Sequence, residues 1–180
     1  MKMSSGVSAA FCGILTALAV VFMLLVPVIP VMLYCAPVLS GLCVAIAADE
    51  FGVRYSFCVY LAASILSFLL AADKETALVF ILLAGAYPVL KFALAESKLH
   101  IFERRSARIV VKLLYINAAC ISYYFAATKL FGIPESSFGA KLYKVIFLFA
   151  GNAIMLCFDR AIDNALLIYR LRIRDKLKFR

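Results

Sequence analysis

The chain alternates long apolar stretches with short breaks that hold prolines, glycines or charged residues. Each stretch approaches the ~20 residues with which a helix crosses the hydrocarbon core of a bilayer. The pattern therefore predicts an all-α fold, a polytopic membrane protein with a bundle of six transmembrane helices. The spans are expected at about residues 7–26, 32–48, 55–72, 76–95, 113–131 and 138–158. Together they form a membrane domain, residues 1–169, and a basic tail follows at 170–180.

Local signals mark several of the breaks. Pro27 and Pro30 predict the turn between spans 1 and 2, because proline removes a backbone donor and restricts the residue before it. Asp73 is a good N-cap for span 4, and Glu75 suits the positive end of that helix. Pro88 is expected to kink span 4, because the carbonyl of Ala84 loses its hydrogen-bond donor.

Two further breaks are expected later in the chain. Residues 132–134, Gly-Ile-Pro, end span 5, and Ser136 or Ser137 caps a span 6 that starts near Phe138. Span 6 leaves the apolar zone near Cys157. Its pattern remains compatible with a helix as far as Tyr169.

Two thirds of the residues are hydrophobic, which a soluble domain of this length could not accommodate on its surface. The net charge of +9 does not favour nucleic acid as a partner, because the cations lie in the breaks and at the tail. The longest break, residues 96–112, holds Lys98, Arg104, Arg105, Arg108 and Lys112. Loops with such an excess of cations stay on the cytoplasmic side.

With that loop inside, an even number of spans places both termini in the cytoplasm. The breaks expected outside hold few lysines, which agrees with this topology. The absence of a transit-like leader favours a bacterial inner membrane. The tail alternates basic and apolar residues, a pattern typical of a strand. A lone strand would have no partner, so we interpret the tail and the basic loop as segments that meet anionic lipid. Docking to a cytoplasmic partner is the alternative for the tail.

Span 1 carries small residues at a spacing of four, which places them on one helix face. This small-residue stripe consists of Ser5, Ala9, Gly13 and Ala17, widened by Gly6 and Ala10. Small residues let membrane helices approach closely. The stripe therefore serves either internal packing of the bundle or docking of a separate membrane subunit.

Polar and aromatic residues gather at the expected outer end, and two asparagines lie inside spans 5 and 6. An interfacial aromatic belt explains the tyrosines, and a helix-to-helix hydrogen bond explains the asparagines. Alternatively they line a small outer ligand pocket, because polar groups in lipid need partners. The candidate ligand-binding residues are Tyr34, Asp73, Lys74, Asn117, Tyr123, Tyr124, Lys141, Lys144 and Asn152.

We do not expect this chain to catalyse a reaction. Asp159 and Asp163 share a helix face, as in magnesium-dependent membrane transferases, but such enzymes use more carboxylates than this pair. A solvated helix end whose charges pair locally is the simpler interpretation. Protease, hydrolase and phosphate-loop motifs are absent from the sequence. The spacing of the six cysteines supports neither a disulfide framework nor a zinc site, so we interpret them as small buried hydrophobic residues. We expect no enzyme activity, no cofactor and no metal site.

Through three features together, the chain resembles the substrate-binding S component of an energy-coupling factor (ECF) transporter. They are the small face with Ala9 and Gly13, the proline-rich outer turn at residues 26–30, and the small-residue-rich start of span 2 at 36–42. The resemblance implies a six-span subunit that binds a vitamin-like molecule or a metal at its outer face. It also implies docking through helix 1 to a coupling subunit driven by two ATPases.

A structural membrane scaffold for envelope or division machinery is the alternative. The loop and the tail would then serve as partner sites. A lipid-phosphate enzyme using Asp159 and Asp163 is a weaker third interpretation.

Overall fold

The structure, a computed structural model, describes residues 5–29, 31–96, 105–130 and 141–174. These residues are overwhelmingly helical, and none of them lies in a strand, which confirms the predicted all-α class. The α-helices are α1 (Ser5–Leu24), α2 (Met32–Phe51), α3 (Val53–Leu70), α4 (Lys74–Val79), α5 (Ala86–Glu96), α6 (Arg105–Leu130) and α7 (Lys141–Tyr169). One π-helical segment, Phe80–Ala84, joins α4 to α5, and a second, Arg170–Arg174, continues α7.

Five helical stretches of the described residues are long and apolar enough to cross a membrane, judged by length and composition. They are Gly6–Leu24, Met32–Phe51, Val53–Leu70, Lys74–Glu96 and Arg108–Ala126. The fourth comprises α4, the first π-helical segment and α5. These stretches indicate a membrane protein, and α7 supplies a further long helix.

The chain forms two compact units. The first consists of Met1–Ala93 and Arg160–Arg180, and the second of Leu94–Asp159. Helices α1 to α4 and the last part of α7 belong to the first unit, whereas α6 and the first part of α7 belong to the second.

Helix α2 packs closely against α1 and α3 because its buried face consists of small residues, including Ala36, Gly41 and Ala45. Small side chains let helix backbones approach in a medium that offers no hydrophobic drive for association. Two buried hydroxyls join the helices. Ser40 donates to the carbonyl of Ala19 in α1 at 2.8 Å, and Ser56 of α3 donates to the carbonyl of Val44 at 3.0 Å.

The connection between α2 and α3 is shorter than predicted. We expected span 2 to end at Ala48 and the charged residues to form a break, but α2 continues to Phe51. Gly52 alone makes the turn, with φ 86° and ψ 177°, a conformation that favours glycine. Its N–H donates to the carbonyl of Ala48, and its carbonyl accepts from the N–H of Ser56.

Helix α4 begins with the N-cap that the sequence predicts. Asp73 is the N-cap, and its Oδ1 accepts from the N–H of Glu75 at 3.2 Å. The hydroxyl of Thr76 donates to Oδ2 of the same carboxylate. Glu75 occupies the first turn, where a negative charge complements the helix dipole. The predicted cap is therefore confirmed.

The α-helical pattern of the fourth stretch changes to a π-helical turn just before Pro88. The N–H of Gly85 donates to the carbonyl of Phe80 at 2.7 Å. The hydroxyl of Tyr60 in α3 donates to the carbonyl of Ile81 at 2.9 Å. A neighbouring helix thus provides a donor for the irregular backbone, as membrane interiors require.

Helix α6 begins at Arg105, earlier than the predicted start of span 5 at Leu113. Part of the predicted basic loop is therefore helical. Helix α7 is continuous to Tyr169, as its pattern allowed, and helical bonding extends into Arg170–Arg174 instead of a strand. The predictions for Pro30, residues 97–104, residues 131–140 and the end of the tail lie outside the described residues.

Candidate functional site

The small-residue stripe lies on an exposed face of α1. Ala9, Gly13 and Ala17 are exposed, as are Gly6 and Ala10, and Ser5 is the first residue of the helix. A Cβ atom built on Gly6 or on Gly13 meets nothing within 4 Å. The packed face of α1 is instead formed by Ser8, Cys12, Leu15 and Ala19, which are buried. The described residues thus leave the stripe open to a neighbour.

The candidate ligand residues divide between the two units. Tyr34, Asp73 and Lys74 belong to the first, and Tyr34 is 79% exposed near the start of α2. The carboxylate of Asp73 is used in the helix cap. Lys74 closes the end of α3, because its Nζ donates to the carbonyls of Phe68 at 2.7 Å and Leu69 at 3.3 Å. It also lies 5.6 Å from the centre of the Phe68 ring.

Lys74→Met tests whether this lysine caps α3 or binds a ligand. We expect a loss of about 1 kcal/mol in unfolding free energy, because two terminal carbonyls of α3 lose a charged donor. The measurement is thermal unfolding in detergent, with Lys129→Met as a control for a lysine elsewhere in the chain. Unchanged stability combined with loss of a co-purified small molecule would instead assign Lys74 to ligand binding.

In the second unit the structure joins Asn117 and Asn152. The side-chain amide of Asn152 donates to Oδ1 of Asn117 at 3.1 Å and to the carbonyl of Leu148 at 2.9 Å. That of Asn117 donates to the carbonyl of Leu113 at 2.9 Å. The two asparagines thus form a hydrogen bond between α6 and α7, which is one of the two interpretations made from sequence.

The helices approach closely beside this pair, and a Cβ on Gly151 would lie 3.0 Å from Sγ of Cys120. Tyr123 and Tyr124 are half-buried on α6, and the Tyr124 ring contacts that of Phe125 at 6.1 Å between centroids. Lys141 and Lys144 lie in the first turn of α7. The described contacts therefore bring together only the asparagines among the candidates of this unit.

The sequence led us to expect that the aspartates of α7 pair locally, but each of them pairs with a lysine of another helix. In the second unit, Nζ of Lys112 lies 2.9 Å from Oδ2 of Asp159. In the first, Nζ of Lys91 lies 2.7 Å from Oδ1 of Asp163. Lys91 is thus held against α7. Among the described residues, no group of three or more His, Cys, Asp or Glu side chains could hold a metal ion.

A third ion pair joins Arg170 to Asp49 in the last turn of α2. Nε of Arg170 donates to Oδ2 of Asp49 at 2.9 Å, and its terminal nitrogen donates to Oδ1, so the contact is bidentate. The side chain of Asp49 is only 4% exposed. The hydrogen bonds and charge of Asp49 raise the pKa of Arg170, with a smaller contribution from Glu50. This pairing explains why Asp49 remains helical instead of forming a loop.

Sequence reasoning missed these three interhelical pairs and the π-helical turn. The charged residues of the pairs are visible in the sequence, since each cation lies on one helix and its aspartate on another. Which residues match depends on which helices are neighbours, and no pattern within one helix reveals that. The structure adds Asp49 and Arg170 to the residues that organise the first unit.

The sequence matches no protein-family model, and no curated protein or solved structure is significantly similar to it. The fold therefore defines the class only as an all-α protein with several membrane-length apolar helices.

Proposed function

We propose that this chain is a non-enzymatic membrane subunit that docks through the small-residue stripe of α1 onto a partner membrane protein. The observation that carries the proposal is the exposure of Ala9, Gly13 and Ala17 while the other face of α1 is packed. The described part of the chain leaves the small-residue stripe uncovered. This surface is suited to a second helix, because small residues allow close contact between backbones.

In its specific form, the proposal is an S component of an ECF-type uptake transporter. The partner is then a membrane coupling subunit with two ATPases, and a vitamin-like molecule or metal binds at the outer face. Support comes from the resemblance in span layout, in the proline-rich turn and in the small residues of α2, which pack against α1 and α3. A bacterial inner membrane, with both termini in the cytoplasm, is the location that this form requires.

Affinity purification of the full chain from its native membrane tests the proposal. The expected result is recovery of a membrane subunit together with ATPases, and mass spectrometry of the purified chain should show a co-purified small molecule. Recovery of neither a membrane partner nor ATPases would overturn the transport form.

A structural membrane scaffold is the second candidate, and one observation favours it. Asp73 and Lys74, two residues of the expected ligand site, are used to cap helices. Recovery of envelope or division proteins in the same purification, without ATPases and without a bound small molecule, would support the scaffold.

A further inference from the structure

The last part of α7 and its π-helical continuation, Arg160–Arg174, form a segment that we call the C-terminal arm. One face of the arm is buried in the first unit, with Ile162, Leu166 and Tyr169 at most 6% exposed. These residues are spaced by four and three, which places them on one side of a helix. The arm is therefore a packed part of the fold and not a loose tail.

The arm is held by two ion pairs within this unit. Lys91 of α5 contacts Asp163, and Asp49 of α2 contacts Arg170. Asp49 lies in the last turn of α2, a membrane-length helix. The pair therefore holds Arg170 at the level where α2 reaches the membrane surface.

On the opposite face of the arm, beyond Asn164, three apolar side chains are exposed at the same level. Leu167 is 56% exposed, Ile168 57% and Leu171 67%. Arg172 beside them is also exposed. In sequence the cations continue with Arg174, Lys176, Lys178 and Arg180, against the single acid Asp175. Asp163, the acid within the arm itself, is paired with Lys91.

We propose that the C-terminal arm is a binding surface for anionic phospholipid, in which Leu167, Ile168 and Leu171 enter the acyl boundary while Arg172 holds a headgroup phosphate. An apolar helix face flanked by cations at the depth of the headgroups is the arrangement that interfacial helices use. Anionic lipid complements the cations of the arm, and each cation strengthens such binding. The proposal is independent of docking through α1.

Native mass spectrometry of the full chain in mild detergent, supplied with phosphatidylglycerol and phosphatidylcholine, measures the lipid preference. We expect preferential retention of phosphatidylglycerol that weakens with salt. The affinity should fall about fivefold in Arg172→Gln. Arg54→Gln is the matched control, because Arg54 is exposed at the start of α3 and lies outside the arm. Equal retention of phosphatidylglycerol by Arg172→Gln and the parent would overturn the proposal.

Inorganic phosphate distinguishes a lipid surface from a site for soluble anions. It shares the headgroup charge but lacks acyl chains, so we expect it not to displace the lipid. Displacement by phosphate at the concentration of the lipid would overturn the lipid assignment.

The apolar half of the proposal has its own test, because the chain contains no tryptophan. Leu171→Trp provides a single fluorophore on the exposed face of the arm. In nanodiscs we expect quenching by brominated phosphatidylglycerol, at least about twofold stronger than by the brominated phosphatidylcholine. Emission that neither lipid quenches would show that water or another protein covers this face, and would contradict the proposal.

Discussion

Gly13→Leu is expected to weaken association with the partner strongly while leaving the fold intact. The site is open, since a Cβ on Gly13 meets nothing within 4 Å, so unfolding free energy should change by no more than about 0.5 kcal/mol. A leucine would hold an approaching helix away from the backbone and remove the packing that small residues permit. We expect the affinity to fall by about 100-fold, or roughly 3 kcal/mol, in co-purification with titrated partner.

The control for this variant is Ile14→Phe. Ile14 is 64% exposed and follows Gly13 directly, but it is turned by about 100° around the helix. It should retain the partner, and Gly13→Ala should give an intermediate loss. Equal association of Gly13→Leu and the parent would remove the observation on which the proposed function rests.

Gly85→Ala is expected to destabilise the protein by about 2 kcal/mol. A Cβ at this position would lie 2.9 Å from two ring atoms of Phe80 and 3.0 Å from its carbonyl oxygen. Phe80 is fully buried, so its ring cannot move into solvent, and overpacking of this kind costs about 1–3 kcal/mol. The measurement is the midpoint of thermal unfolding in detergent.

A double variant separates this steric effect from a general intolerance of the π-helical turn. In a Phe80→Leu background the ring is absent, so the cost of Gly85→Ala should fall by at least about 1 kcal/mol. Gly13→Ala is the matched control for adding a methyl group to a helical glycine, and it should not destabilise. The same cost with and without the Phe80 ring would contradict the contact that the structure shows.

The sequence predicted the helices well because the solvent dictates them. Apolar runs of membrane length can satisfy their backbone only as helices, so the all-α class and the N-cap at Asp73 could be read directly. The boundaries at charged residues were less predictable. Helix α2 continues through Asp49 because Arg170, distant in the chain, neutralises the carboxylate.

The same physics limits what could be predicted of the candidate site. That Asn117 and Asn152 would bond between helices was one of two open interpretations, and the structure contains that bond. The partners of Lys91, Asp159 and Asp163 depend on which helices are neighbours, and a single sequence does not encode this as a local pattern. Exposure of the stripe around Gly13 could likewise be decided only once α2 and α3 were placed against the other face of α1.

The most direct test of the account is the side of the membrane on which the cationic segment 96–112 lies, because this decides which end of α1 meets cytoplasmic machinery. Ser106→Cys, in a chain whose native cysteines are replaced, can be labelled in intact cells with a membrane-impermeant thiol reagent. We predict labelling only after the membrane is permeabilised, since cation-rich loops remain inside. Labelling in intact cells would place this segment outside, and would contradict both the topology and the ECF form of the proposed function, which requires both termini in the cytoplasm.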